Sequence, residues 1–214
     1  MIFDCDGVLV DSELLSNRVL AQTLAEVGLP MSLDETIATF MGHSMSACVA
    51  IIEERTSRPI SPNFVADFRD RTFEVFRREL RPVAGIESAL DAIDLPSCVA
   101  SSGPPEKIHL TLSITGLLPR FAGRIFSAVE VERGKPHPDL FLHAAHKMGV
   151  APTACAVVED SVRGVQAAIA AGMRVFGYAD LTDADTLAAA GARVFRSMAE
   201  LPALLSRGLT RDSR

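Results

Sequence analysis

The sequence predicts an α/β fold, a doubly wound parallel sheet with a small helical domain inserted after the first strand. Short apolar runs alternate with helical patterns through the second half of the 214 residues, and this rhythm is typical of a parallel sheet. The runs are almost continuously apolar, as expected of strands that are buried on both faces. Residues 13–80 instead show helical periodicity without a convincing strand.

The strands are predicted from the positions of the apolar runs. The first strand contains residues 1–3 and ends at Asp4, so it is shorter than the five or six residues of an ordinary strand. The later predicted strands lie within residues 97–102, 124–129, 154–160, 173–180 and 192–195. Helical stretches separate the later runs. One of them begins after Ser161, a residue favoured at helix N-caps, and stops before Gly172.

The helical insertion divides the chain into two predicted domains. Residues 1–12 and 81–214 form the α/β core, and residues 13–80 form the inserted domain. Leu20, Leu24 and Val27 recur at helical spacing, and three further helical patterns follow them before the sheet resumes.

The composition narrows the classes of partner that we expect. A net charge of −6 and the absence of a basic stripe argue against nucleic-acid binding, and no apolar stretch is long enough to predict a membrane span. Four scattered cysteines without a CxxC pair favour reduced, buried thiols. With no signal peptide recognised, we expect a cytoplasmic protein that is a monomer or a weak homodimer.

Two carboxylates stand where the first strand ends. Asp4 and Asp6 are two residues apart, so both can lie on one face of an extended segment. Paired carboxylates suit a nucleophile with a general acid/base, or a hard divalent metal. The alternative is an Asx-type turn that merely closes the strand. Cys5, between them, is expected to point the other way and to be inert.

Further polar side chains follow other predicted strands. Glu159 and Asp160 end an apolar run, where they suit either a Mg²⁺ site or the positive end of the next helix. Lys135, in a connecting loop, is either a cation for the site or an ordinary surface lysine. Because ligands bind at the carboxyl ends of the strands in such sheets, we expect the strand-end residues to converge, namely Asp4, Asp6, Ser101, Glu159 and Asp160.

A small polar segment also follows the second long apolar run. Ser101 and Ser102 could donate hydrogen bonds to a phosphate oxygen. The alternative is a simple turn before the helix that begins near Pro104.

Four motifs together resemble the haloacid dehalogenase superfamily. They are FDCDGVLVDS at 3–12, ASSG at 100–103, GKPHPD at 134–139 and VVEDSVRG at 157–164. They occur in the order found in that superfamily and extend across most of the chain. The resemblance implies a Rossmann-like core, with the helical insertion acting as a cap over the substrate. It is strongest to the β-phosphoglucomutase and sugar-phosphate phosphatase branch.

The resemblance implies a role for each matching residue. Asp4 is similar to the nucleophile that becomes an aspartyl-phosphate, and Asp6 to the general acid/base. Ser101 is similar to the residue that binds a phosphate oxygen. Lys135 is similar to the cation that steadies the nucleophile and the phosphoryl group.

The resemblance also implies a Mg²⁺ cofactor. Its expected ligands are Asp4, Asp6 through its backbone carbonyl, and Asp160, supported by Glu159. An aspartate at position 6 favours hydrolysis of phosphate esters, or phosphoryl transfer between hydroxyls, over dehalogenation, since it can protonate an alkoxide leaving group.

The inserted domain distinguishes two activities within this branch. Mutases of the branch have a histidine in the first cap helix, where this chain has Ser16, and an arginine in the loop where it has Met45. We therefore expect a Mg²⁺-dependent phosphatase of a small phosphorylated metabolite, a sugar phosphate or sugar-acid phosphate. A phosphomutase and a non-catalytic protein that binds phosphorylated metabolites are the alternatives.

Substrate selection is predicted from two polar segments of the inserted domain that could face the active site. Asn17 lies on its first helix, and His43 and Ser44 lie in the MGHSMS loop. These three, together with Ser102 and Gly103, are the expected substrate-binding residues. An alternative for His43 is a solvated loop histidine.

Overall fold

A six-stranded parallel sheet forms the centre of the larger part of the molecule. The computed structural model describes residues 1–41 and 43–209. In chain order, the strands are β1 (Ile2–Phe3), β2 (Cys98–Ser101), β3 (Ile125–Ser127), β4 (Ala156–Glu159), β5 (Arg174–Tyr178) and β6 (Arg193–Phe195). Their spatial order is β3-β2-β1-β4-β5-β6, and every pairing is parallel. This is the doubly wound order, so the predicted α/β fold is confirmed.

The strand order makes β1 central even though it has only two residues. Ile2 is paired with Cys98 on one side and with Val157 on the other. The chain moves outward to β3 on one side and to β6 on the other. Right-handed crossovers therefore put the connecting helices on opposite faces. The carboxyl ends of β1, β2 and β4 lie next to one another at the point where the order reverses.

The chain divides into two compact units. One consists of Met1–Val10 with the chain from Arg81 onward, and the other is Asp11–Leu80. Asp11 and Ser12, assigned to the core from the sequence, therefore belong to the helical unit. The helical unit contains α1 (Glu13–Glu26), α2 (Leu33–Phe40), α3 (Met45–Thr56) and α4 (Phe64–Glu79). Its apolar core is built from Leu20, Leu24, Phe40, Cys48, Ile52 and Phe64.

The helices of the sheet unit cover a continuous apolar core. They are α5 (Ile86–Ala92), α6 (Pro105–Ile114), α7 (Asp139–Lys147), α8 (Val162–Ala170), α9 (Ala184–Ala189) and α10 (Leu201–Leu209). On α7, Leu140, Phe141 and Ala144 are completely buried. On α8, Val165, Ala167 and Ala168 belong to the same core. Small alanines let these helices approach the sheet closely, which holds the strand ends in fixed positions.

The turn after β1 is fixed by buried apolar residues. The amide of Gly7 donates to the carbonyl of Val10 at 2.9 Å, and Val8, Leu9 and Val10 are fully buried. Gly7 has φ +73°, a conformation that L side chains rarely adopt. The chain therefore turns back at once and fixes the segment that carries the two aspartates.

Of the described residues, no single helix has both the length and the apolar character needed to cross a membrane. The pair Leu33–Phe40 and Met45–Thr56 meets those criteria only when both helices are taken together, and they are bent by 119°.

Candidate active site

Asp4 stands at the end of β1, where the sheet still holds its backbone. Its amide donates to the carbonyl of Val158 at 3.0 Å, which extends the pairing with β4 by one residue. The side chain is almost wholly buried. A carboxylate in such a place requires a partner, because an unpaired buried charge is costly.

Lys135 is that partner. Its ammonium group donates to Asp4 Oδ1 at 2.6 Å and to Glu159 Oε1 at 2.5 Å. The lysine is itself buried and its Nζ lies 5.0 Å from the centre of the Phe141 ring. Arg163 donates to the backbone carbonyl of Lys135, at 2.8 Å from Nη2. The loop before α7 is therefore held through both the side chain and the backbone of Lys135.

The charges of this group shift one another's protonation. Burial raises the pKa of Asp4 to about 7; attraction from Lys135 opposes the rise, and repulsion from Glu159 and Asp6 adds to it. Burial alone would lower the pKa of Lys135, but the attraction of Asp4 and Glu159 outweighs it and raises that pKa. The lysine is thus a permanent cation beside a carboxyl group that burial pushes towards neutrality.

Glu159 ends β4 and is completely buried. Its Oε1 faces Lys135, while Oε2 accepts hydrogen bonds from the amides of Asp160 and Ser161 and from the Ser161 hydroxyl, at 2.9–3.1 Å. Gly164 on α8 leaves the room for this carboxylate, since a Cβ there would overlap it. Glu159 thereby connects the lysine to the loop that carries Asp160.

Ser101 ends β2 and is buried. Its hydroxyl oxygen accepts a hydrogen bond from the amide of Gly103 at 3.1 Å, and the Ser127 hydroxyl donates to the carbonyl of Gly103 at 2.6 Å. Ser102 is exposed. The turn after β2 is therefore held from two neighbouring strands, which fixes Ser101 at the same sheet edge as Asp4.

Asp6 is paired with a lysine that lies outside the four motifs. Lys107 Nζ lies 2.8 Å from Asp6 Oδ1. Cys5, between the two aspartates, is buried with its sulfur 3.7 Å from Thr111 Oγ1. Burial raises the pKa of the Cys5 thiol well above its usual range, as suits the inert packing role predicted for it.

Three carboxylates converge into a group that fits a divalent cation. Asp4, Glu159 and Asp160 each offer an oxygen, and these atoms lie within 4.8 Å of one another. Only oxygen donors are present, which is the preference of Mg²⁺, and the three acids exceed the single charge of Lys135. The backbone carbonyl of Asp6 stays a predicted fourth ligand, while the Asp6 carboxylate contacts Lys107.

The candidate residues of the helical unit have local structural partners. The Asn17 side-chain amide donates to the carbonyl of Glu13 at 2.8 Å and is buried. The Ser44 hydroxyl caps α3 by accepting from the amide of Ala47 at 3.3 Å, and His43 is exposed. Their predicted contact with substrate stays a prediction.

Sequence reasoning missed the residues that hold this group in place. Lys107 and Ser127 lie outside the four motifs and act on residues far from them in sequence. Arg163 lies within the motif at 157–164, but nothing in the sequence indicated its contact with the backbone of Lys135. Gly164 offered a signal, since a helix-interior glycine requires a packing reason.

The fold and the buried acid–lysine group define the class of this protein. The profile of the haloacid dehalogenase-like hydrolases matches residues 1–178, and the chain belongs to that family. The family prediction made from the four motifs is therefore confirmed.

Individual relatives give a finer comparison. The chain is 33% identical over 177 residues to 6-phosphogluconate phosphatase of Escherichia coli, covering 82% of this chain and 80% of that protein. A conserved haloacid dehalogenase-like protein of unknown function from Agrobacterium tumefaciens is 36% identical, with TM-score 0.87 and 97% of each chain covered. A family hydrolase from Deinococcus radiodurans, with bound phosphate and sodium, is 34% identical with TM-score 0.80, covering 97% and 95%.

Proposed function

We propose that this protein is a Mg²⁺-dependent phosphatase that hydrolyses a small phosphorylated metabolite through an aspartyl-phosphate at Asp4. Membership in a hydrolase family and similarity to a curated phosphatase support a phosphoric monoester hydrolase. The observation that carries the proposal is the buried contact of Lys135 with both Asp4 and Glu159. A purely structural strand end would not bury two acids against one lysine, with the carboxylate of Asp160 close to both acids.

The proposed reaction has two steps. An oxygen of Asp4 attacks phosphorus, the bond to the leaving oxygen breaks, and Asp6 gives that oxygen a proton. Water then attacks phosphorus while Asp6 takes a proton from it, and the bond to Asp4 breaks to release inorganic phosphate. One residue thus serves as acid and then as base, a contribution of about 10²–10⁴-fold in typical enzymes.

The remaining groups balance the charge of the phosphoryl oxygens. Lys135 is a fixed cation beside the nucleophile, and Ser101 stands at the neighbouring strand end. Such pre-positioned groups stabilise charge without reorganising during the reaction. Asp4 and Asp160, with Glu159 behind them, would hold Mg²⁺. The ion would neutralise phosphoryl charge and orient the ester.

We infer that the substrate is a sugar phosphate or a sugar-acid phosphate. The similarity to a 6-phosphogluconate phosphatase supports this class. Ser16 and Met45 stand where mutases of the related branch have a histidine and an arginine, which supports hydrolysis over isomerisation. In this proposal the helical unit is the cap that selects the leaving group, and Asn17 and His43 are its candidate contacts.

We also infer a reducing compartment from the cysteines. The four cysteines are free and buried, which supports a reducing compartment such as the cytoplasm. Small phosphorylated metabolites are the proposed partners.

The test is release of inorganic phosphate from a panel that includes 6-phosphogluconate, hexose phosphates and p-nitrophenyl phosphate. Each ester is incubated with Mg²⁺ or with EDTA, using wild type, Asp4→Asn and the exposed control Asp94→Asn. The proposal expects Mg²⁺-dependent release by wild type and by the control, with loss in Asp4→Asn. Isomerisation of a hexose phosphate without phosphate release would favour the mutase. Full activity in Asp4→Asn would overturn the mechanism.

A further inference from the structure

Lys107 forms an ion pair with the residue proposed as the acid/base. Its Nζ lies 2.8 Å from Asp6 Oδ1, and the two side chains are only 24% and 16% exposed. The surface pair between Arg77 and Glu74 is 51% and 67% exposed. Exposed pairs of that kind are screened by water and contribute little. The pair at Asp6 is screened less, so it restrains the carboxylate more strongly.

The helix that carries Lys107 is anchored against the same segment of chain. Lys107 lies in the first turn of α6, and Thr111, one turn later, has its hydroxyl 3.7 Å from the sulfur of Cys5. Residues four apart share a face of a helix. One face of α6 therefore meets two consecutive residues, Cys5 and Asp6, and this double contact fixes the direction from which Lys107 approaches.

The stem of Lys107 passes the turn that follows β2. A Cβ built on Gly103 would lie 3.5 Å from Lys107 Cδ and 3.5 Å from Ser101 Oγ. The lysine thus extends beside the predicted phosphate-binding turn on its way to Asp6. Its contacts join the end of β1 to the end of β2, the two strand ends between which a phosphate ester would react.

We propose that Lys107 is a positioning residue that holds the Asp6 carboxylate where the leaving oxygen of the substrate departs. This inference rests on the proposed function, in which Asp6 delivers the proton. Proton transfer needs the donor within hydrogen-bond reach of the leaving oxygen, and small displacements of a reacting group are costly. An aspartate without this anchor samples other rotamers, and the proton is then delivered less often.

The experiment compares esters that differ only in their need for that proton. The aryl phosphates p-nitrophenyl, phenyl and p-methoxyphenyl phosphate share one ring and one phosphate, while the leaving oxygen becomes more basic in that order. The ratio kcat/KM reports the steps up to departure of the phenol. We expect Lys107→Met to lower kcat/KM for phenyl phosphate about ten- to a hundredfold and for p-nitrophenyl phosphate less than about threefold.

Three further variants separate the possible outcomes. In Lys107→Arg, kcat/KM should again fall only slightly as the leaving oxygen becomes more basic, because arginine also carries a cation on a long side chain. Lys147→Met removes an exposed lysine and should match wild type. Asp6→Asn should show the steepest dependence. If Lys107→Met lowers kcat/KM equally for all three esters, Lys107 serves folding or phosphate binding and the inference fails.

Failure of the proposed function would look different. In that case wild type would release no phosphate from the aryl phosphates or from the sugar phosphates of the panel, or Asp6→Asn would be as active as wild type on phenyl phosphate. If kcat/KM falls steeply with leaving-group basicity in Asp6→Asn but not in Lys107→Met, the role of Lys107 is overturned while the role of Asp6 stands.

Discussion

Lys135 donates a hydrogen bond to Glu159 at 2.5 Å, and only 5% of the lysine side chain and none of the glutamate side chain reach solvent. The same ammonium group also bonds Asp4. A buried ion pair is costly to form, but it is more costly to break by removing one partner. Lys135 therefore has two roles: it stabilises the fold around the buried carboxylates, and it supplies the positive charge next to the proposed nucleophile.

Removing the lysine charge should damage both stability and activity. Lys135→Met leaves two buried carboxylates without their cation, so we expect the free energy of unfolding to fall by about 3–5 kcal/mol. Activity at saturating substrate should fall by more than about a hundredfold. Urea unfolding and phosphate release measure the two effects. Lys147→Met is the control and should match wild type in both. A Lys135→Met protein with wild-type activity would contradict the role assigned to the lysine.

Gly164 should tolerate no side chain, although it lies on a helix behind the acids. A Cβ at this position would overlap the Glu159 carboxylate, so Gly164→Ala must push Glu159 away from Lys135. We expect a destabilisation of about 1–3 kcal/mol, as for overpacking elsewhere, with a clear loss of kcat. Gln166→Ala on the exposed side of α8 is the matched control. Unchanged kcat in Gly164→Ala would mean that Glu159 does not position the site.

Binding of Mg²⁺ should be visible without any substrate. A cation that binds only the folded protein raises its Tm, by an amount equivalent to about 2.7 kcal/mol at a hundred times the Kd. Asp160→Asn removes one of the three converging carboxylates and should abolish most of this shift, whereas the exposed Asp94→Asn should keep it. Thermal unfolding with Mg²⁺ and with EDTA measures the effect. An equal shift in Asp160→Asn would locate the ion elsewhere.

The cysteines should be unreactive while the protein is folded. Burial raises the pKa of Cys98 to about 12 and raises the pKa values of Cys5, Cys48 and Cys155 as well. At mildly alkaline pH their thiolate fraction is therefore small, and access is blocked. A thiol-reactive chromogenic disulfide should label the native protein slowly and all four cysteines after denaturation. Rapid labelling of the native protein would contradict their burial.

The convergence at the sheet edge could be predicted because it follows from strand direction alone. Asp4, Ser101 and Glu159 each end an apolar run, and parallel strands bring such ends to one edge. The loop residue Lys135 could be assigned to the same edge only through the motif resemblance. Its contacts with Asp4 and Glu159 are as close as that assignment requires.

The partners within the site could not be predicted, because they depend on how helices pack. Nothing in the spacing between Lys107 and Asp6 connects a helix after β2 to the end of β1. Likewise, sequence alone did not indicate that both oxygens of Glu159 accept hydrogen bonds inside the protein. Helix α5 was also missed, because its seven residues are too few to show a clear periodicity.

The central claim is that Asp4 carries the phosphoryl group. The most direct measurement is to mix enzyme, Mg²⁺ and a turned-over ester, quench in acid during the first turnovers, and map phosphorylated peptides by mass spectrometry. The account predicts a transient phosphoryl group on the peptide that contains Asp4, absent in Asp4→Asn. Steady phosphate release without that species, or a phosphoryl group on another residue, would contradict it.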